Sequence, residues 1–209
     1  MTDKELQILQ RYFPEAAIPM VAEAYTQSRF NLRFKRPRAS KLGDFRPPRD
    51  RNGLCTITLN QDLNPYQILV TFVHELAHYV VYQNHPQRHL EPHGEEWKQT
   101  FTQLLLPYLK PEIFPEDILI ALKRHLQHIK ASSSADTNLA KVMKRYDKKT
   151  TEVLTVEDLP EGTVFQLKNG MRFKKGPKRR TRYQCECLDN GRTYSVSGMA
   201  EIFLPTEHP

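Results

Sequence analysis

Ile68-Leu69-Val70-Thr71-Phe72-Val73-His74-Glu75-Leu76-Ala77-His78-Tyr79-Val80-Val81 carries apolar side chains on nearly every face of a helix, which places it in a core. Asn64 is set to cap this helix and Pro65 to open it, with Gln67 at the third position of a capping box; the pattern runs to about Gln83. Two histidines and a glutamate inside such a segment would each cost about 1–3 kcal/mol if left unsatisfied. A bound metal ion removes that cost. Residues i and i+4 lie about 40° apart around a helix and about 6 Å along it. His74 and His78 therefore converge on one ion of tetrahedral preference, as zinc has. Glu75 then stands beside the open coordination position as the base that takes a proton from water, the catalytic role. A chain of this composition would show the H-E-x-x-H spacing only about 0.02 times by chance.

A catalytic tetrahedral zinc takes three protein ligands, so a third must come from beyond this helix. The spacing with a glycine three residues after the second histidine and another histidine three further on fails, because Val81 and Asn84 stand there. His85, His89, Glu91, His93, Glu95 and Glu96 are the candidates. His93 is favoured, since in His93-Gly94-Glu95-Glu96-Trp97 the glycine permits close backbone approach and the ring can point back. Glu95 or Glu96 would instead complete a site of two histidines and one glutamate.

The chain around this helix reads as α+β. Residues 3–13 and 15–29 are helical, broken at Pro14. Alternation in 31–35 and 56–60, with turn signals at Gly43, Pro47-Pro48 and Asn52-Gly53, predicts a small antiparallel sheet of about three strands. Helices follow from about Gly94 and over about 116–129, then a connector at Ala131–Ala135 and a short basic helix to Tyr146. Two Asn-Gly dipeptides, Asn169-Gly170 and Asn190-Gly191, punctuate alternating runs beyond 151 and predict a β-meander. Its central loop, Lys174–Arg180, is the most basic stretch of the chain. Domains are thus expected at 1–130, a linker at 131–150 and a small all-β domain at 151–209.

The net charge is +7. Lys and Arg outnumber Asp and Glu 13 to 5 in 141–182, and a second basic cluster runs from Arg29 to Arg51. Such density suits a polyanion, nucleic acid being the commonest. Lys174, Lys175, Lys178, Arg179, Arg180 and Arg182 are the candidate contacts, gripping phosphates while Phe173 and Tyr183 offer rings to stack on bases. No apolar run approaches the roughly 20 residues of a membrane span, and the charged, amphipathic N-terminus is no secretory leader. Three cysteines form no even disulfide framework. A reducing, cytoplasmic setting is expected, with association to the nucleoid compatible with the charge.

His74-Glu75-Leu76-Ala77-His78, followed by His93-Gly94-Glu95-Glu96-Trp97, resembles the SprT-like metalloprotease family, bacterial and Spartan-type members included. The resemblance extends over about residues 1–130, taking in Lys41-Leu42-Gly43-Asp44-Phe45-Arg46 and Ile57-Thr58-Leu59-Asn60. It implies a zincin-like fold, one catalytic Zn2+ with His93 as third ligand, and proteolysis of DNA-associated or DNA-crosslinked proteins. In zincins the substrate lies extended along a sheet edge, here a strand within 41–60. Many bacterial relatives end in a four-cysteine zinc ribbon, whereas this chain has only Cys185 and Cys187 there. One C-x-C pair cannot close an all-thiolate site, so no second, structural zinc is expected and both cysteines are read as packing residues. The competing reading is a DNA-binding or regulatory protein with a non-proteolytic zinc site.

Overall fold

The computed structural model describes residues 1–38, 40–50, 53–85, 90–127, 129, 136–147 and 154–204. They form an α+β chain in two compact units, Met1–Lys148 and Lys149–Pro209. The connector expected at Ala131–Ala135 lies outside the described residues.

The first unit opens with α1 (Asp3–Tyr12) and α2 (Ile18–Gln27). Thr2 and Glu5 close a reciprocal capping box at the start of α1, which satisfies the amides of Thr2 and Glu5. Strands β1 (Phe30–Lys35), β2 (Gly43–Arg46) and β3 (Cys55–Asn60) follow. Then come α3 (Pro65–Asn84), α4 (Glu95–Leu105), α5 (Glu116–Gln127) and α6 (Thr137–Lys144). The sheet order is β1-β3-β2. β3 pairs antiparallel with β2 but parallel with β1, so the sheet is mixed where an antiparallel one was expected. Alternation reports which face a residue takes and says nothing of strand direction. The crossover that a parallel pair needs is supplied here by the whole segment from 36 to 54, β2 included.

The sheet is one-sided. Phe30, Leu32 and Phe34 of β1, Cys55, Ile57 and Leu59 of β3, and Phe45 of β2 pack against the core. Residues of the opposite register, such as Arg33, Thr58 and Asp44 in one row across the sheet, take the other face, where Arg33 is exposed while Thr58 and Asn60 of the central strand are buried. Over the inner face runs α3, whose Ile68, Leu69, Val70, Phe72 and Val73 are at most 1% exposed. Asn64 Oδ1 accepts from the Gln67 amide (2.9 Å), as the cap predicted, while its Nδ2 donates to the Met143 carbonyl and to Asp147 (2.8 Å each). That fastens the α6 region onto the start of α3. Leu139, Val142 and Met143 of the helix expected within a linker lie in this same core.

α5 and α6 are tied through a buried pair. Asp136 caps α6 through the amides of Asn138 and Leu139, and its other oxygen lies 3.1 Å from Nδ1 of the buried His125. Asp136→Ala should lose a cap, about 1 kcal/mol, and orphan a buried ring nitrogen, about 1–3 kcal/mol. Thermal unfolding at neutral pH measures the sum.

The second unit is a five-stranded antiparallel sheet of order β7-β6-β5-β4-β8. Its strands are β4 (Val164–Leu167), β5 (Arg172–Arg179), β6 (Arg182–Cys187), β7 (Thr193–Ser197) and β8 (Ile202–Phe203). Gly170 and Gly191 take φ of 84° and 69° at the two Asn-Gly turns, the left-handed conformation those hairpins require. Two features depart from expectation. β8 returns to pair with β4, and Lys174–Arg179 is strand rather than loop, with a register shift between Lys175 and Lys178. Gly176 sits in that irregularity, where a Cβ would stand 2.1 Å from the Gln184 carbonyl oxygen. Phe165, Phe173, Tyr183, Cys185 and Cys187 form the core of this unit.

Candidate metal centre

His74 and His78 lie one helical turn apart on α3, their rings 5.1 Å between centroids. His93 reaches them from a turn closed by the Gly94 amide donating to the Glu91 carbonyl (2.9 Å). His93 adopts φ of 63°, a left-handed conformation that histidine tolerates better than most side chains. Its Nε2 comes within 3.1 Å of both His74 Nε2 and His78 Nε2. Two zinc–nitrogen bonds of about 2.05 Å at a tetrahedral angle separate their nitrogens by about 3.3 Å. The three rings thus fit one small ion, and they are a group of donors that meets the requirement for a metal among the described residues.

The protonation states agree. Burial, then the neighbouring His78, His93 and His125, pull His74 down to about 3. Burial and His93 pull His78 down to about 4, and burial lowers His93. All three offer a lone pair at neutral pH, as metal ligation requires.

Trp97 underlies the group. Its ring centroid lies 4.6 Å from His74, 5.3 Å from His78 and 4.7 Å from His93. Its Nε1–H donates to the His74 carbonyl at 3.4 Å, and Phe101 stacks beneath it at 5.0 Å. Phe45 of β2 lies parallel to the His78 ring at 6.4 Å. Sequence reading named Trp97 and Phe45 only within the segments that carry the family resemblance; Trp97 comes to the site because it lies in the first turn of α4, just after His93-Gly94.

The other candidates do not join the group. Glu95 is 71% exposed and stands 3.9 Å from Lys98. Glu91 and Glu96 are exposed, and the His85 amide closes the end of α3 on the Val81 carbonyl. His89 lies outside the described residues. A cavity of about 610 Å3 opens elsewhere, against Phe13, Tyr66, Ile113 and Tyr146, and none of the three histidines lines it.

Glu75 is 6% exposed and lies against β2. Burial pushes its carboxyl up to about 8, and the charge of Asp44 adds to this, while the Phe45 amide, Lys41 and Arg38 pull the other way. A cation held by the rings beside it would favour the carboxylate. Contact with β2 is close because residue 43 is glycine: a Cβ there would stand 2.6 Å from Glu75 Oε1 and 2.7 Å from Thr71 Cγ2. Gly43→Ala should displace the carboxyl or the strand by an ångström or so. A loss of turnover of about 100-fold is expected from such a misplacement, with zinc content unchanged. Assay of both on one preparation tests this.

β2 is an edge strand among the described residues. The Asn60 amide donates to the Leu42 carbonyl at 2.9 Å, which makes Leu42–Asn60 and Asp44–Thr58 the hydrogen-bonded pairs. The N–H and C=O of Gly43 and the C=O of Phe45 are therefore directed at the free edge, while the Phe45 amide is turned to the Glu75 carboxyl.

Of the six cations expected to meet nucleic acid, Lys174, Arg179 and Arg180 are exposed. Lys175 is buried, 6% exposed, with its ammonium donating to the Leu159 and Glu157 carbonyls and lying 4.1 Å over the Tyr183 ring. Lys178 pairs with Glu157 (2.8 Å), and Arg182 donates to the carbonyl and hydroxyl of Ser195. Phe173 and Tyr183, expected as stacking rings, are in the core, because their positions alternate inward on β5 and β6.

An α+β unit with three convergent histidines, two of them on an H-E-x-x-H helix, has the donor set of a mononuclear metalloenzyme. The family model that matches this chain is that of the SprT-like family, over residues 9–113, half of its length. The chain belongs to the SprT-like family, which is in general one of zinc metalloproteases. No curated protein and no solved structure matches it. No helix among the described residues is long and apolar enough to cross a membrane.

Proposed function

We propose that this chain is a zinc-dependent endopeptidase of zincin-like architecture, acting on DNA-associated or DNA-crosslinked proteins. The observation that carries the reading is Glu75 beside three neutral imidazoles whose Nε2 atoms converge. His74, His78 and His93 would hold the ion. When bound, zinc supplies Lewis acidity, acidifying a water and polarising the scissile carbonyl. The chain's own residues do the rest. Glu75 accepts the proton of the attacking water and returns it to the leaving amine. The free edge of β2 offers the main-chain groups of Gly43 and the Phe45 carbonyl to an extended substrate, which sets the scissile bond beside Glu75. Trp97 and Phe45 fix the rings and keep water from their flanks.

A purely structural zinc site has no need of a buried carboxylate at its side, which argues against a non-proteolytic, DNA-binding role. The separating experiment is cleavage of a protein substrate by wild type and Glu75→Gln, with and without single-stranded DNA. Cleavage by wild type alone supports the proposal. Equal, negligible cleavage by both, at full zinc occupancy, refutes it.

A further inference from the structure

We infer that the cavity at the start of α3 is a binding site for an organic cation, an ammonium or guanidinium group carried on an alkyl stem. The cavity measures about 610 Å3, within the roughly 300–1,000 Å3 that ligand sites occupy in general. Separate segments of the first unit build it. Phe13 and Glu15 come from the bend between α1 and α2, and Tyr66 from the first turn of α3. Glu112 and Ile113 come from the connection ahead of α5, and Tyr146 from just beyond α6. The metal centre is elsewhere on the same helix: His74 follows Tyr66 by two turns of α3, about 12 Å along the axis.

The lining changes character from floor to rim. Phe13 and Ile113 are buried, 3% and 4% exposed, and make an apolar floor. Tyr66 and Tyr146 are half-buried walls, their rings 5.1 Å apart and at 85° to one another, so that two aromatic faces meet at a corner. The Tyr146 hydroxyl donates to Asp117 at 2.7 Å, which holds that ring in place before any ligand arrives. Glu15 and Glu112 are exposed at the rim, and among the described residues neither pairs with a cation. Arg145, beside Tyr146, is engaged by Asp117 at 3.4 Å. No lysine, arginine or histidine lines the cavity.

Each part of this lining answers to one part of such a ligand. The floor takes methylene groups, the aromatic corner faces the positive charge with its ring quadrupoles, and the two carboxylates meet it at the mouth. A bare metal ion is a poor match, since hard cations want six or more oxygens and this wall is mostly carbon. An anion is a poorer one. The start of α3 does not attract it, because Pro65 has no amide hydrogen and the Gln67 amide is already capped by Asn64. A wholly apolar ligand would strip water from the rim carboxylates without replacing it. The binding is independent of the proposed protease activity.

The test titrates the full chain calorimetrically, at low salt and neutral pH, with probes of one shape: butylguanidinium, butylammonium and the neutral butylurea. Both cations should bind at least about 10-fold more tightly than the urea, because only they gain from the rings and the carboxylates. Glu15→Gln/Glu112→Gln should weaken the cations about fivefold and leave the urea unchanged. Tyr66→Leu should weaken them by about the same factor. Circular dichroism checks the fold of each variant, and the rim variant, altered only at exposed side chains, decides alone if Tyr66→Leu does not fold. An acetylated Gly-Arg-Gly amide and spermidine distinguish the sources of the cation. Tighter binding of the peptide assigns the cavity to a basic side chain of a protein, tighter binding of spermidine to a free polyamine, and either upholds the inference. Urea bound as tightly as the cations, cations bound equally by wild type and the rim variant, or no cation bound at all overturns it.

Discussion

Glu75→Gln is expected to abolish proteolysis while leaving the metal centre whole. The amide has the shape of the carboxyl but no basicity, so turnover should fall by about 10²–10⁴-fold, the usual contribution of a positioned general base. Zinc content should equal that of wild type, because Glu75 is not among the three converging donors. Stability separates this outcome from mere damage. Burial raises the Glu75 carboxyl from 4.5 to about 8 in the fold, so its protonated form is favoured there. The stability contributed by that group is present below about 4.5 and is lost as pH rises through about 8. Metal-free Glu75→Gln should therefore lose less thermal stability than metal-free wild type between pH 7 and 9. A variant that is inactive, zinc-loaded and steadier at alkaline pH meets every part of the expectation. One that loses its zinc would place Glu75 in the coordination sphere and contradict the assigned role.

His93→Ala should lose the ion. Two imidazoles on one helix leave a tetrahedral site half-made, and the loss in affinity should exceed the roughly 100-fold that removal of a group hydrogen-bonded to a ligand can cost. Glu95→Ala should keep full occupancy, since that side chain is 71% exposed and faces Lys98. Metal content after dialysis against a weak chelator reads both. Retention of zinc by His93→Ala would show that another residue supplies the third donor. Acid acts on the same rings in a known direction. His74 and His78 are depressed from 6.5 to about 3 and about 4, so the stability they contribute is complete above 6.5 and falls away as pH drops toward those values.

The helix and its two histidines were legible because both signals are local. An all-apolar helix with polar intruders at i and i+4 has one economical explanation, and Asn64-Pro65 marks its start. His93 could be favoured but not decided from the residues alone, because the decision depends on a left-handed backbone at 93 and a turn from Glu91 to Gly94, neither of which periodicity encodes. The parallel pairing of β1 with β3 was hidden for a related reason: alternation names the buried face, while strand order depends on a crossover through β2. Gly43 was read as a turn signal, and only the fold shows that its missing side chain makes room for Glu75. The basic run at 174–182 misled in the opposite sense. Charge density was visible, but period-2 alternation along β5 and β6 sends Lys175 and Tyr183 inward, and a distant Glu157 claims Lys178.

The most direct test of the catalytic metal centre is a zinc titration of the metal-free protein, with cleavage of an unfolded protein substrate followed at each step. Activity should rise from nothing to a plateau at about one ion per chain, as one site of three imidazoles and an open position requires. Full occupancy of His74, His78 and His93 with no cleavage would contradict the account.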